Sequence, residues 1–129
     1  VLETNGVIPL QDVPEGVTKV MDVKTPRAFR SREEGGQGQG APFHLPNLDV
    51  LHTHDQVKFV LCDRSDYEWA LEFVREHRLH ERVNDVLFSP SQLELEPQRL
   101  VSWMTQDNPP VRLNLQLHKY IWGPDVRGV

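Results

Sequence analysis

The sequence predicts an α/β protein built on a mostly parallel sheet. Short apolar segments typical of buried strands recur along the chain, and the later ones alternate with amphipathic helical segments. A series of parallel strands that opens at Val1 and closes near Gln116 is typical of part of a barrel of strands and helices. In such sheets, ligands bind beyond the carboxyl ends of the strands.

The composition predicts one domain over residues 1–129. A net charge of -5 disfavours a nucleic-acid partner, and the absence of a long apolar run disfavours insertion into a membrane. The single cysteine, Cys62, is compatible with a reducing compartment, so we expect a cytoplasmic protein. The first residues read as the end of a strand without an initiating methionine, and we expect a segment of something longer.

The first two strands are each predicted to end in polar residues. Glu3 and Thr4 close the first strand, before the turn signal Asn5-Gly6. The second strand covers Lys19 to Lys24 and is predicted to be covered on both faces, with Asp22 and Lys24 at its emerging end. These two side chains are candidates for a ligand-facing pair. The alternative is an ion pair at the protein surface.

A glycine-rich segment follows the second strand and is predicted to be a flexible loop at residues 30–42. Its glycines and charges can bury little apolar surface, so we expect rapid hydrogen exchange from Arg30 to Gly40. A phosphate-binding loop is disfavoured, because the segment lacks the Lys-Ser/Thr ending of that motif.

The remaining elements follow from apolar periodicity and helix signals. Ser65 and Glu68 are predicted to form a capping box at the start of a helix, Pro97 to begin another, and Pro109-Pro110 to stop it. The sequence also predicts a short helix in 47–54, strands at 56–62 and 85–88, and a final strand at 111–116.

The histidines raise the question of a metal site. His44, His52, His54 and Asp55 form the densest group of metal-binding residue types. A spacing of two in a loop or helix is expected to point the rings apart, so no metal site is predicted. Cys62 follows a buried strand, and we interpret it as an inert thiol.

Six segments carry a resemblance to a known family. They are LETNG at 2–6, KVMDVKTP at 19–26, VKFV at 57–60, DYEWALEFV at 66–74, VLFSP at 86–90, and LQLHKYIWGP through RGV at 115–129. Together they resemble the carboxyl-terminal half of 7-carboxy-7-deazaguanine synthase, a radical S-adenosylmethionine enzyme of queuosine biosynthesis. The resemblance implies half of a partial (β/α) barrel of the radical S-adenosylmethionine type.

The resemblance also implies a reaction and its cofactors. The family converts 6-carboxytetrahydropterin to 7-carboxy-7-deazaguanine with loss of ammonia, a lyase reaction that S-adenosylmethionine, a four-iron, four-sulfur cluster and magnesium support. A homodimer is the implied assembly. The cluster needs three cysteines and this sequence has one, so we expect the chain alone to be inactive. A missing amino-terminal half or a partner chain would supply the cluster.

Site residues come from the same resemblance. It assigns Asp22, Val23 and Lys24 to S-adenosylmethionine, with a second binding segment formed by Ser89, Pro90, Ser91 and Gln92. Glu3 is the implied catalytic proton-handling group, and the substrate side is implied to consist of Thr4, His118 and Pro124. The alternative hypothesis is a noncatalytic binding or subunit-interaction module derived from such an enzyme.

Overall fold

Five parallel strands form the centre of the protein in a computed structural model, which describes residues 1–25 and 45–115. The strands are β1 (Leu2–Thr4), β2 (Lys19–Val23), β3 (Gln56–Leu61), β4 (Asp85–Pro90) and β5 (Arg112–Leu113). They follow one another in the sheet in chain order, and every neighbouring pair is parallel. The predicted α/β class with a parallel sheet is confirmed.

Three α-helices and a 3₁₀ helix accompany the described strands. A 3₁₀ helix (Leu45–Val50) precedes β3, α1 (Arg64–His77) and α2 (Leu79–Arg82) connect β3 to β4, and α3 (Pro97–Asp107) connects β4 to β5. The helix predicted in 47–54 therefore begins and ends earlier than expected. None of the described helices is long and apolar enough to cross a membrane.

The core lies between one face of the sheet and the helices. Phe59 on β3 is fully buried, and its ring makes edge contacts with Phe88 of β4 and with Trp69 and Phe73 of α1, at centroid distances of 5.5, 6.4 and 5.9 Å. Burying an aromatic side chain of this size stabilises the fold by about 1.5–3 kcal/mol. Trp69 and Phe73 are only partly buried, whereas Ala70 and Val74 are fully covered.

The two faces of the sheet differ in burial. On β2, Lys19, Met21 and Val23 are buried, whereas the intervening Val20 and Asp22 are half-buried. The prediction that β2 is covered on both faces is wrong for the described residues. Side chains alternate between the faces of a strand, so every second residue of β2 faces the side opposite the core.

The cap of α1 differs from the predicted capping box. Asp63, not Ser65, precedes the first helical residue, and its side chain accepts the N–H of Asp66 at 2.9 Å. The Asp66 carboxylate in turn accepts the N–H of Cys62 at 2.8 Å. Ser65 lies within the first turn. Asp63 and Ser65 are both residue types that are favoured as helix caps. Because β3 ends at Leu61, Asp63 is the residue at the junction between the strand and the helix.

Helix α3 starts where predicted, with Pro97 in the first turn. It ends at Asp107, and Asn108, which adopts a left-handed conformation (φ 45°), caps it directly before Pro109-Pro110, as predicted. Only Leu100 of α3 is buried, and Val101 is exposed. Strand β5 is limited to Arg112–Leu113 and is shorter than predicted. The predicted loop at 30–42 lies outside the described residues.

Candidate functional site

A cavity of about 330 Å³ lies on the half-buried face of the sheet, toward the carboxyl ends of β1 and β2. Both strands run in the same direction, which brings residues from the end of each to one edge. The cavity is lined by Glu3, Thr4, Asn5, Val20, Asp22, Lys24 and Lys58. The structure therefore brings together four of the predicted site residues: Glu3, Thr4, Asp22 and Lys24.

Asp22 presents one paired and one unpaired carboxylate oxygen. Its Oδ2 accepts the ammonium of Lys24 at 2.7 Å, and both side chains are about one-third exposed (27% and 32%). Its Oδ1 is buried and accepts no hydrogen bond from the residues that the structure describes. A buried acceptor without a donor costs free energy, so a ligand hydroxyl or amine that donated to Oδ1 would recover it.

A tight turn fixes the rim of the cavity beyond β1. Thr4 Oγ1 accepts the N–H of Gly6 at 3.1 Å, and Asn5 Oδ1 accepts the N–H of Val7 at 3.2 Å. Gly6 has φ 72°, a conformation that glycine adopts without strain, which confirms the predicted Asn5-Gly6 turn. The turn leads the chain away from the sheet and leaves Glu3 exposed at the cavity.

Asn47 holds this turn from the 3₁₀ helix. Its amide nitrogen donates to the carbonyls of Gly6 and Ile8 at 3.0 and 2.9 Å, and its amide oxygen accepts the N–H of Leu10 at 2.8 Å. The side chain is buried. Sequence reasoning missed Asn47, because its partners lie about forty positions away and no local pattern joins them.

The second predicted binding segment, Ser89 to Gln92, lies further across the same sheet. Ser89 and Pro90 belong to β4, where Pro90 pairs with Leu61, and the N–H of Ser91 donates to the Leu61 carbonyl at 2.8 Å. The Ser89 side chain is buried, and its hydroxyl has no hydrogen-bond partner among the described residues. Through its pairing with Val60, Ser89 shares the sheet face of Asp22. None of the four residues lines the cavity beside Asp22.

Of the remaining predicted site residues, the structure describes only Val23. Val23 is fully buried in the core, so only its backbone could contact a ligand in the cavity. His118 and Pro124 lie outside the described residues. Sequence reasoning missed Lys58, because alternation along two strands indicates which residues share a face, whereas the register that places Lys58 beside Asp22 is seen only in the structure.

The histidine group lies directly before β3, at the amino-terminal ends of the strands and thus at the end of the sheet opposite the cavity. The rings of His52 and His54 stack with centroids 5.3 Å apart and planes 8° apart, so the expectation that they point apart is wrong. Together with Asp55 they could offer three metal ligands. The Asp55 oxygens, however, already accept the N–H groups of Lys19 and His52, both at 2.7 Å. His44 is outside the described residues.

Cys62 follows β3 and is partly buried. Burial raises the pKa of its thiol to about 12, with a further contribution from the hydrogen bond and negative charge of Glu94. At neutral pH the side chain is therefore a protonated thiol, which is a poor nucleophile and a poor metal ligand. This supports the interpretation of Cys62 as inert.

The fold and the cavity define a class of protein: a parallel α/β domain with a polar cavity toward the carboxyl ends of its strands. The chain is 42% identical to a 7-carboxy-7-deazaguanine synthase of Koribacter versatilis and 34% identical to one of Chlorobaculum tepidum, in each case over 99% of its own length. One from Leptospira interrogans is 35% identical over the same share of the chain.

The chain is therefore related to the 7-carboxy-7-deazaguanine synthases along nearly its whole length, and the predicted resemblance is confirmed. It spans about half the length of these relatives: 58%, 55% and 50% of the three sequences. No family model and no solved structure matches the chain.

Proposed function

We propose that the chain is the carboxyl-terminal part of a radical S-adenosylmethionine enzyme that converts 6-carboxytetrahydropterin to 7-carboxy-7-deazaguanine in the cytoplasm. The observation that carries the proposal is the similarity to synthases of that name over 99% of the chain. The five-stranded parallel sheet is compatible with half of a partial barrel.

The cavity supports a role for Asp22 in binding S-adenosylmethionine. A ribose presents two hydroxyl donors, and the buried, unpaired Oδ1 of Asp22 is an acceptor without a donor among the described residues. The buried hydroxyl of Ser89 offers a second such group on the same sheet face. Lys24 holds the Asp22 carboxylate in place through its 2.7 Å ion pair. The backbone of Val23 and the segment from Ser89 to Gln92 complete the proposed binding region.

On the substrate side, we assign Glu3 and Thr4 to the pterin. Glu3 is exposed at the cavity, where its carboxylate can accept hydrogen bonds from pterin N–H groups and exchange a proton with the substrate. The Thr4 hydroxyl oxygen accepts the Gly6 N–H, which orients its own hydrogen for donation. His118 and Pro124 are proposed to close the substrate side.

The residues of this chain do not fit the iron–sulfur cluster. Such a cluster requires several cysteine thiolates, and the sequence contains only Cys62. We propose that the cluster and magnesium are held by an amino-terminal half or a partner chain, in an enzyme that is a homodimer. When bound beside the cluster, S-adenosylmethionine supplies the hydrogen-abstracting chemistry, and the present chain binds and orients the reactants.

A chimera tests this function. The chain is joined behind the amino-terminal part of the Koribacter versatilis relative, reconstituted anaerobically with iron and sulfide, and assayed for 7-carboxy-7-deazaguanine and ammonia. We expect turnover in the chimera and stoichiometric iron loading only there. The chain alone, treated identically, should bind no cluster.

The same experiment distinguishes the proposed activity from the alternative of a noncatalytic module. A noncatalytic module derived from such an enzyme would associate with the amino-terminal part without producing 7-carboxy-7-deazaguanine. A folded, cluster-loaded chimera without turnover would therefore contradict the proposed activity. A chimera in which Glu3→Gln reduces turnover while S-adenosylmethionine still binds would assign Glu3 to the substrate side.

A further inference from the structure

The register of the sheet places Lys58 beside Asp22 on the cavity side. Lys58 lies in the middle of β3, is paired directly with Asp22 of β2, and is half-buried. Directly paired residues of parallel strands face the same side of a sheet, and Lys58 lines the same cavity as Asp22, Lys24 and Glu3. The cavity therefore contains two carboxylates and two ammonium groups.

Only two of these four charged groups form an ion pair with each other. Asp22 and Lys24 form an ion pair at 2.7 Å. In the described part of the chain, the ammonium of Lys58 has no carboxylate within ion-pair distance, whereas Lys19 of the adjacent strand β2 pairs with Asp55. An ammonium that no carboxylate contacts can pair with a bound anion, and partial burial strengthens that attraction.

Glu3 stands on the other side of this arrangement. It is paired with Val20, so β2 lies between Glu3 on β1 and Lys58 on β3. Two strand spacings separate β1 from β3 by about 10 Å, which leaves room for a small molecule between an acidic and a basic side chain. The arrangement suits a ligand with N–H donors at one end and a carboxylate at the other.

We propose that Lys58 binds the carboxylate of a ligand in this cavity, with Glu3 accepting hydrogen bonds from the nitrogen-bearing end. The proposal rests on the proposed function, in which both S-adenosylmethionine and the pterin substrate carry a carboxylate. A lysine supplies a compact, strongly attracting charge for such a group. Lys58 is thus a binding residue, and its pairing with Asp22 makes it a neighbour of the proposed ribose-binding carboxylate.

The test compares ligands that differ only at the carboxylate-bearing position. One pair is S-adenosylmethionine and its decarboxylated form; the other is 6-carboxypterin and 6-methylpterin. Each ligand is titrated by calorimetry into the chain and into the chimera. Both proteins are measured with the unchanged sequence and with Lys58→Met. We expect the unchanged protein to prefer the carboxylate in at least one pair by about 10- to 100-fold, the worth of a charge-assisted hydrogen bond. Lys58→Met should remove most of that preference.

The two pairs separate the two sources of the carboxylate. Loss of preference confined to the first pair assigns Lys58 to the cofactor, and loss confined to the second assigns it to the substrate. Full carboxylate preference in Lys58→Met would overturn the role of Lys58 and leave the proposed function intact. Failure of the unchanged protein to bind any of the four probes, in either form, would contradict the proposed function itself.

Two further variants control for indirect effects. Arg75→Gln removes an exposed positive charge on α1, outside the cavity, and should preserve both preferences. Lys58→Gln keeps a polar side chain of similar length and serves if Lys58→Met folds poorly, as judged by a thermal melt. Equal weakening of the carboxylate and neutral ligands in Lys58→Gln would indicate a packing defect and overturn the proposal.

Discussion

The ammonium of Lys19 lies 3.1 Å from the Asp55 carboxylate, and both side chains are buried (2% and 0% exposed). The same carboxylate accepts the backbone N–H groups of Lys19 and His52, both at 2.7 Å. Asp55 thereby ties the start of β2 to the turn that precedes β3. Loss of one partner would leave the other charge buried and uncompensated, which is far more costly than loss of an exposed pair.

We predict that Lys19→Met lowers the free energy of unfolding by about 3–5 kcal/mol, the usual cost of breaking a buried ion pair. The matched control is Lys24→Met, which breaks the partly exposed pair with Asp22 and should cost at most about 1 kcal/mol. Urea denaturation of both variants measures the difference. Similar losses in the two variants would mean that burial of the Lys19–Asp55 pair does not govern stability.

The environment of Asp55 also indicates that the stability of the fold depends on pH. Burial acts to raise the pKa of Asp55, but the hydrogen bonds from the Lys19 and His52 backbone and the Lys19 ammonium together hold the pKa below its ordinary value. A carboxyl whose pKa is lowered by folding contributes stability above its unfolded pKa of about 3.9 and loses it as the pH falls through the folded pKa.

We therefore expect the unfolding free energy of the unchanged chain to fall as the pH is lowered below about 4. Asp55→Asn should be less stable at pH 7 and should lose less stability on acidification. Denaturant melts between pH 7 and pH 2 measure both. Parallel stability profiles for the two proteins would show that Asp55 is not the group responsible.

The sheet could be predicted because its information is local. Apolar segments with turn signals between them identified the four longer strands, and their alternation with helices indicated parallel pairing. The burial of one face only, seen at Val20 and Asp22, was missed because an apolar run does not show which neighbours cover it. The start of α1 was misplaced by two residues because Asp63 and Ser65 are both acceptable caps and tertiary context decides.

The candidate site was predictable in part for the same reason. Glu3, Thr4, Asp22 and Lys24 lie at or just beyond the carboxyl ends of strands, and the ends of parallel strands meet at one edge of the sheet. Lys58 lies within a strand and enters the site only through the register between β2 and β3. Asn47 acts through three hydrogen bonds to a distant turn, and the stacking of His52 on His54 depends on a turn conformation that spacing does not specify.

The helix cap gives a direct comparison of two residues. Asp63→Ala should lower the free energy of unfolding by about 0.5–2 kcal/mol, because the N–H of Asp66 loses its acceptor. Ser65→Ala, on the exposed first turn of α1, should change it by less than about 0.5 kcal/mol. Thermal or urea unfolding measures both values. A larger loss for Ser65→Ala would restore the capping box expected from the sequence.

The thiol of Cys62 should be unreactive in the folded chain. Its pKa of about 12 leaves far less thiolate at pH 8 than a free cysteine, whose pKa is about 8.5. We expect alkylation by iodoacetamide to be at least about a hundredfold slower than for a cysteine-containing peptide. Guanidinium should restore the peptide rate by removing the burial and the contact with Glu94. Equal rates before and after unfolding would contradict the raised pKa.

Asp22→Ala distinguishes a ligand site from a surface ion pair. If its carboxylate accepts ribose hydroxyls, the substitution in the chimera should weaken S-adenosylmethionine binding by about 1.5–3 kcal/mol, the worth of hydrogen bonds to a charged group. Stability should change by at most about 1 kcal/mol, because the pair with Lys24 is partly exposed.

Asp12→Ala, which removes an exposed carboxylate outside the cavity, is the control. Calorimetric titration and a denaturant melt measure the two quantities separately. Unchanged affinity in Asp22→Ala would remove Asp22 from the binding site, even though the relation to the synthases would stand.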